Sequence, residues 1–431
     1  MSLRWNPGAM GRVIVVLTVA VALAIGAPHA RAQDSKQPIK IGFSMALTGA
    51  LAGAGKSGLL AIQIWAKDQN AKGGLLGRPV QLVYYDDQTN PSLVPGIYTK
   101  LLDVDKVDLV VGPYGTVPIS AAMPIIISHK MTFLALLGLA VNSNFHYPNY
   151  FAMIPSGPDP KESFTKGFFD VALAQNPKPK TIAIVGSQDE FSTHLTDGAR
   201  NNAKATGLNI VYDKSFPPNT TDCSPIMRAI NATDPDLIVV GTYPPAAICM
   251  VHAMSEVGTK AKMFGGGMVG LQYTAIKEQL GPALNGIVNY DVWVPAKTMM
   301  FPGTEDVLKK YQAEAKSAGV DPLGYYMAPI SYAYMQILAE AVTATKGLDQ
   351  QKLADYIRSH TFKTVFGDVK FGKEGEWAES RMLQVQFQHI SGNGIEQFED
   401  PTKQIVLTPT TFKSGKVDYP MQKAMQKAEN K

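Results

Sequence analysis

The chain predicts an α/β fold made of two doubly wound, parallel-sheet lobes, and three observations carry that prediction. Short β-rich runs alternate with 10–15-residue amphipathic runs from residue 39 to residue 154, and again from 162 to 294. A Pro/Gly cluster, Pro155-Ser156-Gly157-Pro158, separates the two blocks. The remaining elements are too few for a third domain, so they must return to the first two. Two such blocks in series make two doubly wound lobes.

The first unit sets the pattern. Residues 39–47 form an apolar run, 48–58 a small, Gly-rich loop, and 59–71 an amphipathic stretch. After the break at Gly73-Gly74, a second β-rich run (79–85) ends in Asp86-Asp87. Strand, helix, strand in this order places the two strands parallel. Helices follow at 95–105 and 117–129, and strands at 107–111, 131–137 and 149–154. In the second block, helices are expected at 162–175, 191–205, 224–232, 246–257 and 273–280. They alternate with strands at 181–185, 208–212, 237–240, 263–264 and 286–294. Helices at 305–318, 327–345 and 352–360 precede strands at 365–372 and 382–390. The two long helices are expected to pack on the first lobe and the final strands to join the second. The chain would then cross between lobes near 155–158, 290–295 and 377–381. Lobe 1 is expected to comprise 33–156 and 295–377, and lobe 2 157–294 and 378–431. Three crossovers allow the lobes to close like a hinge on a cleft.

Before the first unit, Arg4 and Arg12 form a positive n-region, 13–26 an apolar core, and Ala30-Arg31-Ala32 an A-x-A site before Gln33. This is the pattern of a cleaved secretory signal over residues 1–32, which places the protein in an exported compartment. Without Arg4, Arg12 and Arg31 the formal charge falls from +4 to +1. That balance favours neither nucleic acid nor an anionic membrane as partner. Cys223 and Cys249 are the two cysteines; in an oxidising compartment they read first as one disulfide, and otherwise as two buried thiols.

The Gly-rich loop carries two phosphate-binding look-alikes. Gly53-Ala-Gly55-Lys-Ser-Gly58 matches G-x-G-x-x-G, and Gly55-Lys56-Ser57 resembles the end of a P-loop. The P-loop spacing fails because its first Gly would fall on Ala50, with Gly49 one place too early. The dinucleotide pattern should begin at the strand end, and Gly53 lies well beyond it. What remains is a small-residue loop at the carboxyl end of a strand, where open α/β sheets bind ligands, with Thr48 facing the cleft. Gly115-Thr116 repeats the arrangement after the third strand. Thr116 suits a helix N-cap, or a hydroxyl offered to a ligand oxygen, and Tyr114 a cleft wall. In the second block, Phe191, Tyr243 and the run Phe264-Gly265-Gly266-Gly267-Met268 follow successive strands and form the opposite wall.

Catalytic constellations are missing: there is no G-x-S-x-G, H-E-x-x-H or C-x-x-C. His129, His146, His194, His252, His360 and His389 share no metal-ligand spacing. Asp86 and Asp87 are adjacent on a strand and point to opposite faces, so they do not pair. No enzyme, metal or cofactor is expected.

The LTG loop (47–49), the segment NAKGGLLGRPVQLVYYDDQTNP (70–91), VDLVVGP (107–113) and FGDVKFGKEGEW (366–377) together resemble the periplasmic substrate-binding proteins of branched-chain amino acid and amide ABC importers. The resemblance runs over nearly all of the chain after residue 32. It implies a type I periplasmic binding protein: a monomer in the periplasm that closes on one small solute and delivers it to an inner-membrane permease. It also implies a pocket. Thr116 matches the family's Ser/Thr after the third strand, and Gly138-Leu139 stand where an Ala-Thr step is usual. Phe191 and Tyr243 take the places of two tyrosines in the second lobe. The acidic residue that pairs with a ligand ammonium falls within Gly265-Gly266-Gly267, where no carboxylate stands. A buried ammonium needs such a partner. The expected solute is therefore an aromatic or short-chain carboxylic acid, or an amide. Asp189 or Glu190 remains available as a substitute charge, which keeps a branched-chain amino acid in play; a ligand sensor of the same fold is the other alternative.

Overall fold

The computed structural model describes residues 1–3 and 37–429, and the expected signal segment, apart from residues 1–3, lies outside them. Residues 38–431 form one compact unit, distinct from 1–37. Its first sheet contains β1 (Ile39–Met45), β2 (Val80–Asp86), β3 (Leu109–Tyr114), β4 (Phe133–Leu136) and β5 (Tyr150–Ala152), in the order β2-β1-β3-β4-β5 and parallel throughout. The helices between them are α1 (Ala52–Ala71), α2 (Val94–Thr99), α3 (Thr116–Ser128) and α4 (Asn142–Phe145). α2 runs on as a π-helical turn over Lys100–Val104, so the expected helix at 95–105 changes its winding midway.

The second sheet takes β6 (Thr181–Ser187), β7 (Asn209–Phe216), β8 (Leu237–Thr242), β9 (Met263–Met268) and β10 (Val288–Asp291). Its interleaved helices are α5 (Pro160–Leu173), α6 (Glu190–Thr206), α7 (Ser224–Asn231), α8 (Pro244–Glu256) and α9 (Thr274–Leu280). The chain then leaves this sheet for α10 (Thr304–Ala318), α11 (Ala328–Thr345) and α12 (Gln350–Ser359). α10 is tied to α1 by Lys310–Asp68 and Lys67–Glu314, both at 2.7 Å. Thr132, at the start of β4's approach, donates to the Gln350 carbonyl. These contacts fix the returning helices on the first lobe.

One expectation about the returns is corrected. Residues 361–370 do not supply a strand to the second sheet. They form a separate antiparallel hairpin, β11 (Thr361–Thr364) with β12 (Gly367–Lys370), turned at Gly367 with φ +88°. The second sheet instead gains β13 (Leu383–Phe387) and β14 (Gln404–Thr408), both antiparallel, giving the order β14-β13-β10-β9-β8-β6-β7. Short helices α13 (Glu396–Glu399) and α14 (Gln422–Glu429) complete the chain.

Strand order reverses at β1 in the first sheet and at β6 in the second. Loops leaving either side of such a point turn to opposite faces and open a crevice at the strands' carboxyl ends. The crevice of the first sheet lies between the loops after β1 and β3, and that of the second between the loops after β6 and β8. Away from the cleft, Cys223 and Cys249 form a disulfide between the start of α7 and the body of α8.

A tyrosine-walled cleft as candidate ligand site

The start of the loop after β1 is held by Asp86. Asp86 accepts from the backbone of Leu47 (2.9 Å) and Thr48 (3.2 Å) and from the Thr48 hydroxyl (2.7 Å). Thr48 is therefore exposed and engaged, not a cleft wall. Asp87 turns the other way, to Ser44 at 3.0 Å, as opposite strand faces require. The glycines of this loop serve packing. A Cβ at Gly55 would lie 1.9 Å from the Ala46 carbonyl, so only glycine lets α1 start directly over the end of β1. That accounts for the G-x-G-x-x-G spacing without any phosphate.

At the end of β3, Gly115 occupies the N-cap position of α3 at φ +99°, and Thr116 is the first helical residue. Thr116 is thus not the cap. Its Oγ1 accepts from the Leu139 N–H at 3.0 Å, which joins the loop after β3 to the loop after β4 and leaves the hydroxyl proton to be donated elsewhere. Gly138 is closely packed: a Cβ there would meet Ile119 at 2.8 Å and the Tyr150 hydroxyl at 3.3 Å. Leu139 is fully buried, and its carbonyl accepts from His194 Nδ1 at 2.9 Å, a bond from α6 of the second lobe to the first. Burial lowers the His194 pKa, which keeps the ring neutral.

From the second lobe, Asp189 caps α6. It accepts from the Ser192 N–H (2.9 Å) and hydroxyl (2.8 Å), and from the Ser187 hydroxyl. With those oxygens engaged, Asp189 is not a substitute ligand charge. Glu190 reaches across to Ser120 of α3 at 3.1 Å, and burial holds its pKa up. Phe191 and Tyr243 stand together with centroids 5.3 Å apart, backed by Phe164 at 5.7 Å from Phe191.

Gly267 and Met268 are placed differently from expectation. Both lie inside β9. Met268 is fully buried in the second lobe's core, and a Cβ at Gly267 would fall 1.8 Å from Leu195 Cδ1. The glycine run allows α6 to press onto the sheet. A side chain at 267 would have to displace Leu195, and no carboxylate stands at 265, 266 or 267.

Beside Tyr114, three tyrosines that the sequence did not single out, Tyr273, Tyr290 and Tyr326, line the rest of the cleft. Tyr114 and Tyr273 share a hydroxyl–hydroxyl bond of 2.9 Å between the lobes, and Tyr290 and Tyr326 share one of 3.0 Å. Tyr326 stands edge-on to Tyr114 at 6.3 Å and tilted on Tyr273 at 5.8 Å; Phe164 packs on Tyr290 at 4.8 Å. Burial pushes the Tyr114 hydroxyl up to about 12, and those of Tyr243, Tyr273, Tyr290 and Tyr326 rise for the same reason, so all stay protonated. The Tyr243 hydroxyl is buried close to the Thr116 hydroxyl and the Val117 N–H, with no well-aligned hydrogen bond to either. At the mouth of the cleft a groove of about 420 Å³ is lined by Gly53, Lys56, Tyr273, Ile276 and Asp321. Among the described residues no group of three or more His, Cys, Asp or Glu could hold a metal, and no helix is long and apolar enough to cross a membrane.

Comparison with known proteins agrees with this architecture. The family model described as "Periplasmic binding protein" matches residues 38–393. An "Amino acid binding protein" of Pseudomonas aeruginosa is 25% identical over 366 residues, which span 84% of this chain and 92% of that protein. Among solved structures, the branched-chain amino acid transporter substrate binding protein of Streptococcus pneumoniae, in complex with isoleucine, superposes with TM-score 0.70 at 19% identity, covering 86% of this chain and all of that one. A solute binding protein of an ABC transporter from R. palustris, in complex with benzoate, gives TM-score 0.70 at 16% identity, covering 86% and 95%. With the family model spanning both lobes, the chain belongs to the periplasmic binding protein family, as a leucine-binding-protein-like member with the type I fold.

Proposed function

We propose that this protein is the solute-binding component of an ABC importer of the branched-chain amino acid and amide type, working in the periplasm as a monomer and delivering one small solute to an inner-membrane permease. The favoured solute is an aromatic or short-chain carboxylic acid, or an amide. The observation that carries this reading is the Tyr243 hydroxyl, buried close to the Thr116 hydroxyl and the Val117 N–H with no well-aligned hydrogen bond to either. Three donors at the start of α3 suit a carboxylate or amide oxygen. The wall around them is aromatic: Tyr114, Phe191, Tyr273 and Tyr326. Rings of that kind suit a flat or apolar body.

A branched-chain amino acid is the second reading, and Glu190 is the observation that favours it. Its carboxylate is half-buried between the lobes and accepts from the Ser120 hydroxyl at 3.1 Å. A thermal-shift screen of the purified protein against amino acids, aromatic acids, aliphatic acids and amides separates the two. A solute at 100 times its Kd stabilises by about 2.7 kcal/mol. Strong shifts with aromatic or short-chain acids support the first reading; strong shifts with leucine and valine and none with acids sink it.

A further inference from the structure

The donors beside Tyr243 account for one end of a solute. A second polar cluster lies across the first sheet, on the flank where the lobes meet. Tyr150 opens β5, two strands from the β3 end that carries Thr116. Its side chain is fully buried, and its hydroxyl, close to Gly138, has no hydrogen-bond partner. Glu376 follows Gly375, whose carbonyl accepts from the Ala152 N–H, so the third crossover runs alongside β5. Glu376 is 4% exposed and neither carboxyl oxygen has a partner. Burial holds the proton on Tyr150, and Glu376 and Glu190 lie close enough to add to the effect. Three orphaned polar atoms in one buried place are costly, because each gave up water without a replacement.

We infer that Tyr150 and Glu376 form the second polar end of the cleft and accept an N–H or O–H donor of the solute, which makes the cargo bifunctional. Its acceptor group sits at Thr116 and Tyr243, its apolar body against the tyrosines, and its donor group at Tyr150 and Glu376. The two ends are carried by β3 and β5, two steps of about 4.8 Å apart in the sheet. An α-amino acid carries both groups on one carbon and does not span that gap. A ring or short chain bearing the donor at its far end does. This inference rests on the cleft reading proposed above and narrows it.

Calorimetric titration with matched pairs tests it: benzoate against 4-hydroxybenzoate, pentanoate against 5-hydroxypentanoate, and 4-methylpentanoate against leucine. In the wild-type protein the far-donor member of at least one of the first two pairs is expected to bind ten-fold or more tightly than its partner. Tyr150→Phe, which removes only the hydroxyl, and Glu376→Leu, which removes the orphaned carboxyl, are each expected to abolish that advantage and leave the donor-free acid unchanged. Equal affinities within both of these pairs overturn the inference while leaving the acid-binding cleft intact. So does an advantage that survives both substitutions, which would make the cluster a water site. Leucine exceeding 4-methylpentanoate while far donors gain nothing puts the donor beside the acceptor and likewise overturns it. If no acid binds at all, the cleft reading falls and this inference with it.

Discussion

Replacing Glu376 with Gln should stabilise the protein in a way that depends on pH. Burial alone pushes the Glu376 carboxyl from its ordinary 4.5 up to about 8. Between those values the folded protein keeps a proton that the unfolded chain releases. Stability must therefore fall as pH rises from about 4.5 to about 8, and level off above. At about 1.4 kcal/mol for each pH unit, the loss has a ceiling of about 5 kcal/mol. Relaxation that admits water reduces it, and about 2 kcal/mol is a sober expectation. Gln does not titrate, so the variant escapes the loss. The other buried acid with a comparable shift, Asp291, pushed up to about 6, is common to both proteins and cancels in the difference. Tyr150 and Glu190, the titratable groups nearest the cluster, also remain in both. Melting curves of wild type and Glu376→Gln at half-unit steps from pH 4.5 to 9 are the assay. The variant's advantage should be near zero at the acid end and grow to about 4–8 °C by pH 8, if the first lobe unfolds as one unit. A difference that stays flat across the series would refute the burial argument.

Three further outcomes follow from the geometry. Tyr243→Phe removes one donor from the start of α3 and should weaken the best-binding acid by about ten-fold, or about 1.4 kcal/mol, in calorimetry, with little change in the ligand-free Tm. Cys223→Ser with Cys249→Ser opens a loop spanning 26 residues and should cost about 3.5 kcal/mol of stability by chain entropy, read from urea midpoints against the oxidised wild type. Gly267→Asp drives a side chain into Leu195 and should lower stability by about 3 kcal/mol or more. Adding Leu195→Ala should recover part of that loss; if it does not, steric conflict is not what holds the glycine in place.

The sequence made the lobes legible because each βαβ unit is a local pattern. Period-2 and period-3.6 runs, broken at Gly73-Gly74 or Pro155–Pro158, place strands and helices with no reference to distant residues. The loops at strand ends were readable for the same reason, and Tyr114, Thr116, Leu139, Phe191 and Tyr243 do come together. The rest depended on contacts between residues far apart in the chain. Tyr273, Tyr290 and Tyr326 sit at a helix start, a strand end and an interhelical turn, and no spacing links them. Tyr290 alone carried a signal, because it stands at an expected crossover. Glu376 lies in the polar turn KEGEW, where a glutamate reads as exposed; only the pairing of that turn with β5 buries it. The glycines misled in the opposite direction. Gly55 and Gly267 looked like open loop, yet each is there because backbone or side chain presses against it.

The glycine at 267 and the tyrosines are parts of one arrangement. With Leu195 filling the space above β9, α6 sits close on the sheet, and its first turn carries Phe191 into the cleft and Glu190 across to Ser120. A carboxylate at 267 would have to displace the Leu195 side chain that packs there. Recognition then passes to hydroxyls. Tyrosine hydroxyls donate and accept, and burial keeps them neutral, so they escape the desolvation penalty of a charge whenever the lobes close. Tyr114 meets Tyr273 and Tyr290 meets Tyr326, so four of the five cleft tyrosines are satisfied by one another. Tyr243 is the one left over. An acceptor brought to Tyr243 would leave the bonds of the paired rings unbroken, which is the form of solute proposed above.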